Sequence, residues 1–427
     1  MQALGDSLSE GVQSADANRE TQPVGYASRI ALQMRGSFPL PLIDISPVGV
    51  VGSTFLRHRI HPSVVAADLG VSGAQVSDTL NTNSQTGTHK EYELVLEPRT
   101  TSEIDAAAAS PAPLILYWAG SNDVIGAVLS FDKLSTYQQQ ITPVDAFRAN
   151  ITQAMERLKA LHRPAVIGNI PDVTHTAFLM GRQTLEQFAG SDFGLPEGSY
   201  TTLITAIELR LGVEDGSILK NPDYVLDAAE IANIRQSVAT FNSIIATAAA
   251  DAGFPVVDVY SYFDNLMSNP PVYGGVALTQ VYLGGMFSLD GIHPSDISYA
   301  LLANQFIRAI NTHYSGAIRT IPPLTPRQLE RIARHDPFVD HKHDGSVKGR
   351  FGAGLLETLA PLLRIKHDAK PPQGPVEQLT PGGSIQEKLM SKYRKLMNQE
   401  PQKAQASRTE RHNAMRHIFG LDTMKAR

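Results

Sequence analysis

The segment Gly5-Asp6-Ser7-Leu8-Ser9 places a serine that could attack a carbonyl carbon seven residues into the chain. Three later segments supply residue types such a serine would need: Ser72-Gly73, Gly120-Ser121-Asn122-Asp123 and Asp290-Gly291-Ile292-His293. A serine hydroxyl is a poor nucleophile at neutral pH unless a base takes its proton as it attacks. His293 is the candidate base. Asp290, three residues earlier, is the candidate carboxylate that holds the imidazole in the required tautomer. Attack on an ester creates a negative oxygen that oriented donors must meet. The candidates are the backbone N–H of Ser7, if that residue opens a helix, the N–H of Gly73, and the side-chain amide of Asn122. Glycine suits the second position because a backbone donor that approaches substrate closely works best without a Cβ. Asp6 is expected to order the nucleophile turn and Asp123 to hold Asn122 by accepting backbone N–H groups. Neither is assigned a proton-transfer role.

Each motif alone has a plainer reading. Asp6 and Ser7 could cap a helix, Asn122 and Asp123 could form an Asx turn, and His293 could be a surface histidine beside proline. What favours the joint reading is position, because each motif follows an expected strand. Short apolar runs alternate with longer helical patterns, as in parallel sheets whose strands are joined by helices. The strand candidates are residues 2–4, 64–69, 114–118, 165–169 and 256–259. Open parallel sheets gather ligand-binding loops at their carboxyl ends. Apolar stripes predict helices over 144–161 (Phe147, Ile151, Met155, Leu158), 228–250 (Ile231, Ile234, Val238, Phe241, Ile245) and 295–310 (Tyr299, Leu302, Phe306, Ile310).

Two stretches look inserted. Residues 33–62 are proline-rich without a clean period and are expected to cross the sheet edge or rim a pocket. Residues 172–227 carry Phe178, Phe188, Phe193, Leu195, Tyr200 and Leu203 between glycines and prolines. They suit either a cap whose aromatics face an acyl group or a surface excursion with its own small core. Residues 92–96 alternate as a short edge strand would.

The four motifs together resemble those of the SGNH superfamily, the GDSL-type lipases and esterases. The resemblance spans about residues 1–315, and its later part is similar to bacterial lipases and lysophospholipases. It implies Ser7 as nucleophile, Asp290 and His293 as acid and base, and Ser7, Gly73 and Asn122 as the oxyanion hole. It also implies an α/β fold: a three-layer α/β/α sandwich on a flavodoxin-like, mostly parallel five-stranded sheet. The expected reaction is hydrolysis of a carboxylic ester through an acyl-enzyme. The apolar insertions favour lipid or short acyl esters, with a carbohydrate O-acetyl esterase as the alternative and a non-catalytic binding module on the same fold as the reading from another class. The wide gap between Ser7 and Gly73 departs from the family pattern and bears on pocket shape.

Composition narrows the rest. The 427 residues are 42% hydrophobic with a formal net charge of −5 and no cysteine, which excludes disulfides and thiolate metal sites. No run of 18 apolar residues suggests a transmembrane segment. From Ile321 onward 19 Lys or Arg stand against 11 Asp or Glu, so a mildly acidic body carries a basic tail. The tail's charges are interspersed and its aromatics few, so no nucleic-acid partner is expected. The partner is a small-molecule ester, and the sequence leaves the oligomeric state open. The expected organisation is a hydrolase domain over 1–315 and a basic, partly disordered extension over 316–427, with short helices at 351–363 and 385–397. His335, Asp336, Asp340, His341, His343 and Asp344 could recruit zinc, but they read equally as a solvated linker; no metal or cofactor is assigned. Residues 1–4 barely supply a first strand, which suggests a longer gene product. An upstream signal peptide would make the protein secreted or periplasmic; without one it is cytoplasmic.

Overall fold

The computed structural model describes residues 1–44, 57–129, 137–210, 212, 214–343 and 347–349. Its centre is a parallel sheet of four strands, β1 (Gln2–Gly5), β2 (Ile115–Trp118), β3 (Ala165–Gly168) and β4 (Val256–Val257), hydrogen-bonded in that order. Alternation along each strand separates the residues onto two faces. Leu4, Ile115, Tyr117, Ala165 and Ile167 point into one core, which also holds Phe147, Ile151, Phe241 and Ile245. Ala3, Leu116, Trp118, Val166 and Val257 point into the other, with Tyr26, Tyr299, Leu302 and Phe306. Helices therefore cover both faces, and the protein is a three-layer α/β/α sandwich.

The helices at 144–159, 228–252 and 296–313 form where the apolar stripes place them. The long helix Ala228–Ala252 starts in a reciprocal box in which Asp227 caps the N–H of Glu230 and Glu230 returns to that of Asp227, and it stops at Gly253 in the left-handed region.

Three expectations are corrected. The strand expected over 64–69 is a single parallel bridge between Asp68 and Ala3. Ala3 donates to Ala67 and accepts from Leu69, while on its outer side the Ala67 N–H goes to Pro39. A four-residue β1 leaves little length for a full ladder there, yet the bridge preserves the flavodoxin-like order with the fifth segment beside β1. Residues 92–96 are not an edge strand but part of the helix Lys90–Leu96. Its buried pairs, Glu91 with Val95 and Tyr92 with Leu96, are four apart. Glu91 was legible only as an outward polar residue, because its buried partner Arg57 lies far away in sequence.

The packed body also continues past residue 315. Helix Pro326–His335 lays Leu329 and Ala333 on the second core, and Ile321, Leu324 and Val339 join them. Asp336 is buried there and accepts from the Ile297 and Phe338 N–H groups at 2.8 and 2.9 Å. Among the described residues no group of three or more metal-ligating side chains could hold an ion; Asp344 and the expected helices at 351–363 and 385–397 lie outside the described residues. So does the middle of the 33–62 insertion, whose described ends pair through an Ile43–Arg59 bridge. No helix among the described residues is long and apolar enough to cross a membrane.

Candidate active site

The site stands at the carboxyl ends of the strands. Gly5 closes β1 at φ +137°, where an added Cβ would lie 1.9 Å from the Trp118 carbonyl oxygen. Only glycine lets the chain turn so tightly against β2. The next residues form the short helix α1 (Ser7–Glu10), with Asp6 as N-cap accepting from the Leu8 N–H at 3.0 Å. Ser7 is thereby the first helical residue, and its own N–H meets no acceptor among the described residues.

The Ser7 Oγ lies 2.9 Å from His293 Nε2, and His293 Nδ1 lies 2.6 Å from Asp290 Oδ2. Residues 286 positions apart are thus in hydrogen-bond contact, with His293 1% and Asp290 4% exposed. The loop between them is tightly built. Gly291, at φ +71°, sits where a Cβ would come within 2.8 Å of the Phe178 nitrogen. Asp290 Oδ1 accepts from the N–H groups of Ile292 and His293 at 2.8 and 2.9 Å and from the Ser288 hydroxyl at 3.2 Å. Its Oδ2 accepts from the Ala15 N–H at 2.7 Å as well as from His293. Burial pushes the Asp290 carboxyl up, but the neighbouring imidazole and these donors outweigh it and hold the group below the usual carboxylate range.

Asn122 lines the same cleft from the loop after β2. Its Nδ2 donates to the Ala74 carbonyl at 3.0 Å, which leaves the second amide hydrogen available. Gly73 adopts φ +83° just before Ala74, and its N–H likewise has no acceptor among the described residues. Gly73 is therefore coupled to Asn122 through Ala74 but is not among the residues lining the cleft. Asp123 does accept a backbone N–H, but from Val76 at 3.0 Å, and its other oxygen takes the Thr142 hydroxyl at 2.8 Å. It braces the loop behind Asn122. Burial raises the carboxyls of Asp6 and Asp123 to about 7 each.

Sequence reasoning missed two sets of residues. The first is the turn at Ser14 and Ala15, both non-glycine residues in the left-handed region, at φ 52° and 59°. It clasps the acid loop: Ser14 N–H donates to Ser288 Oγ at 2.8 Å, and Leu289 N–H donates back to Ser14 Oγ at 3.2 Å. No local signal announces it. The second is the cleft wall. Tyr260, Phe263 and Met267 on the helix Val259–Ser268 line it, with Phe287, Ile125 and Val173. The spacing 260, 263, 267 is a helical stripe directly after β4 and was readable. The aromatics of 172–227 do not contribute. Phe178, Phe188, Leu195 and Leu203 are buried in a core continuous with that of the main body, around the hairpin Leu179–Gly181 and Tyr200–Thr202. Among the described residues of that excursion only Asp172, Val173, His175 and Thr176 reach the cleft.

A serine–imidazole–carboxylate relay beside the unengaged Ser7 N–H, on the carboxyl edge of a doubly covered parallel sheet, defines a serine hydrolase. The chain belongs to the GDSL-like lipase/acylhydrolase family, whose model matches residues 2–306. It is therefore a GDSL-type hydrolase acting on esters. No functionally curated protein matches it. Among solved structures it is similar to Axe2, an acetylxylan esterase from Geobacillus stearothermophilus, at 14% identity over 75% of this chain and 95% of that one, with a TM-score of 0.37. It is also similar to LAE5, an α/β hydrolase from the metagenome of Lake Arreo, Spain, at 13% identity over 72% and 92%, with a TM-score of 0.35.

Proposed function

We propose that Ser7 is the nucleophile, His293 the general base and acid, and Asp290 the orienting carboxylate of an esterase that works through an acyl-enzyme. The observation that carries this reading is the unbroken relay, 2.9 Å from Ser7 Oγ to His293 Nε2 and 2.6 Å from His293 Nδ1 to Asp290. Ser7 Oγ bonds to the carbonyl carbon as its proton passes to His293 Nε2. The carbonyl oxygen becomes an oxyanion facing the Ser7 and Gly73 N–H groups and the free Asn122 amide hydrogen. Collapse breaks the bond to the alcohol oxygen, which takes the proton from His293. Water then attacks the acyl-enzyme, gives its proton to the same nitrogen, and the acid leaves as Ser7 regains its hydrogen.

Within the ester class, the wall of Ile125, Val173, Phe263, Met267 and Phe287 supports an apolar acyl group in the cleft. A second reading, a carbohydrate O-acetyl esterase, is favoured by polar residues of the lining, Asp172, His175 and Asp264, which could take sugar hydroxyls. Rates on p-nitrophenyl esters from acetate to palmitate, beside release of acetate from acetylated xylooligosaccharides, separate the two. A rise in kcat/KM toward medium or long chains supports the first reading. Activity confined to acetate with efficient sugar deacetylation supports the second. Ser7→Ala should abolish turnover and fluorophosphonate labelling alike; a variant that kept either would remove Ser7 from the mechanism.

A further inference from the structure

A cluster of buried charge behind the site has no part in the chemistry above. Glu10 ends α1, three residues beyond Ser7, and is 1% exposed. Its Oε2 accepts from the Ser72 N–H at 2.8 Å and from the Ser72 hydroxyl. Ser72 immediately precedes Gly73. One carboxyl group therefore joins the helix start that presents the Ser7 N–H to the loop that presents the Gly73 N–H, two segments otherwise more than 60 residues apart.

An isolated buried carboxyl is costly, so the fold must supply compensation. Glu91, fully buried, faces Glu10 and forms an ion pair with Arg57, whose side chain is also fully buried. Arg57 further pairs with Asp16 at 3.2 Å and donates to the Ala17 carbonyl at 2.5 Å. Burial and the adjoining Glu91 carboxylate push the Glu10 carboxyl well above its ordinary range. On Glu91 burial also pushes upward, but the Arg57 charge together with the hydrogen bonds from Glu10 and Arg57 and the nearby His89 outweighs it and lowers the carboxyl. At the far end Asp16 adjoins Ala15, the residue that donates to Asp290.

We propose that Glu10 is a positioning residue that sets the Gly73 donor of the oxyanion hole against that of Ser7, with Arg57 as the buried counter-charge that holds the Glu10–Glu91 pair in place. Glu10 touches neither substrate nor reacting atoms. The proposal rests on the oxyanion roles given to Ser7 and Gly73 above. A donor displaced by about 1 Å costs the transition state far more than the ground state, so the loss falls on kcat.

The test compares Glu10→Ala, Glu10→Gln and Ser72→Ala with the parent enzyme on a p-nitrophenyl ester, well below each variant's melting temperature. Glu10→Ala should lose about 100-fold in kcat with KM changed less than threefold. Its inhibition constant for an alkyl boronic acid, which forms a tetrahedral adduct on serine, should rise in parallel with the loss of kcat/KM. Glu10→Gln, whose amide oxygen accepts from Ser72 while its nitrogen donates to Glu91, should recover kcat to within about fivefold of the parent. A merely structural Glu10 would lower the melting temperature and leave these kinetic ratios alone. Where Glu10→Ala does not fold, Ser72→Ala decides, with kcat expected to fall three- to tenfold at unchanged KM. Unchanged kcat in the folded variants, while Ser7→Ala is inactive, overturns the role of Glu10 and leaves that of Ser7 standing. An active Ser7→Ala would instead overturn the underlying reading.

Discussion

Asp6 and Asp290 are the same residue type, both almost wholly buried, on two loops that meet at the Ser7–His293 hydrogen bond, yet they hold their protons oppositely. Asp290 receives five donors, three on one oxygen and two on the other, and stays below the usual carboxylate range. Asp6 receives the Leu8 N–H on Oδ1, while its buried Oδ2 has no hydrogen-bond partner among the described residues, and its carboxyl is raised to about 7. Burial is common to both. The imidazole beside Asp290, together with its fuller supply of donors, decides which carboxylate keeps its charge, and only the charged one can stabilise an imidazolium. The turn at Ser7 thus uses its aspartate as a cap, whereas in the proposed relay the aspartate of the 290–293 loop is an electrostatic partner.

Substitutions at the two loops should separate these roles. The largest effect is expected for Asp290→Asn, which keeps the shape but removes the charge and disturbs the imidazole tautomer; kcat should fall on the order of 10⁴-fold with KM little changed. A loss below tenfold in steady-state assays would show that His293 is oriented without Asp290. Asn122→Ala should cost about 3 kcal/mol of transition-state stabilisation, roughly 10²-fold in kcat, because the amide's remaining hydrogen is lost together with its tether to Ala74.

Asp6→Asn should barely change kcat but should alter how stability depends on pH. Because burial raises the folded-state value from 3.8 to about 7, the folded form holds the proton more tightly than the unfolded chain. Its stabilising contribution is complete below about pH 4 and is lost as pH rises through 7, by up to about 4 kcal/mol. Urea unfolding at pH 4.5 and 8 should therefore show a smaller drop for Asp6→Asn than for the parent. An equal drop in both would mean that Asp6 is not the group responsible. The smallest effect is expected at the clasp. Ala15→Gly relieves a left-handed alanine at φ 59° and should raise stability by about 1 kcal/mol or less with kcat preserved, read as a shift in melting temperature.

Much of the site was legible because its parts are local motifs. Ser7, Asn122 and the Asp290–His293 pair each sit in a short segment with a glycine where the chain must turn, and the first two directly follow an apolar run that makes a strand. The strands at 115–118, 165–168 and 256–257 and the three long helices were legible for the same reason, since a period of 2 or 3.6 is written into neighbouring residues. Where the reading failed, the partner was distant. Glu91 looked like the polar side of a strand until Arg57 stood beside it, and whether the 172–227 aromatics face substrate or pack inward was open until their distant core partners were seen.

The sequence by itself determined which residue types could do chemistry, the α/β class, and the order in which the loops arrive at one sheet edge, because these depend on neighbours along the chain. Only the tertiary structure decided that Asp290 is lowered while Asp6 and Asp123 are raised, which apolar residues wall the cleft, and that Glu10 ties the helix of Ser7 to the distant loop of Ser72 and Gly73. Donor supply, burial and electrostatic coupling are sums over groups that meet only in three dimensions, and no local pattern of residues contains them.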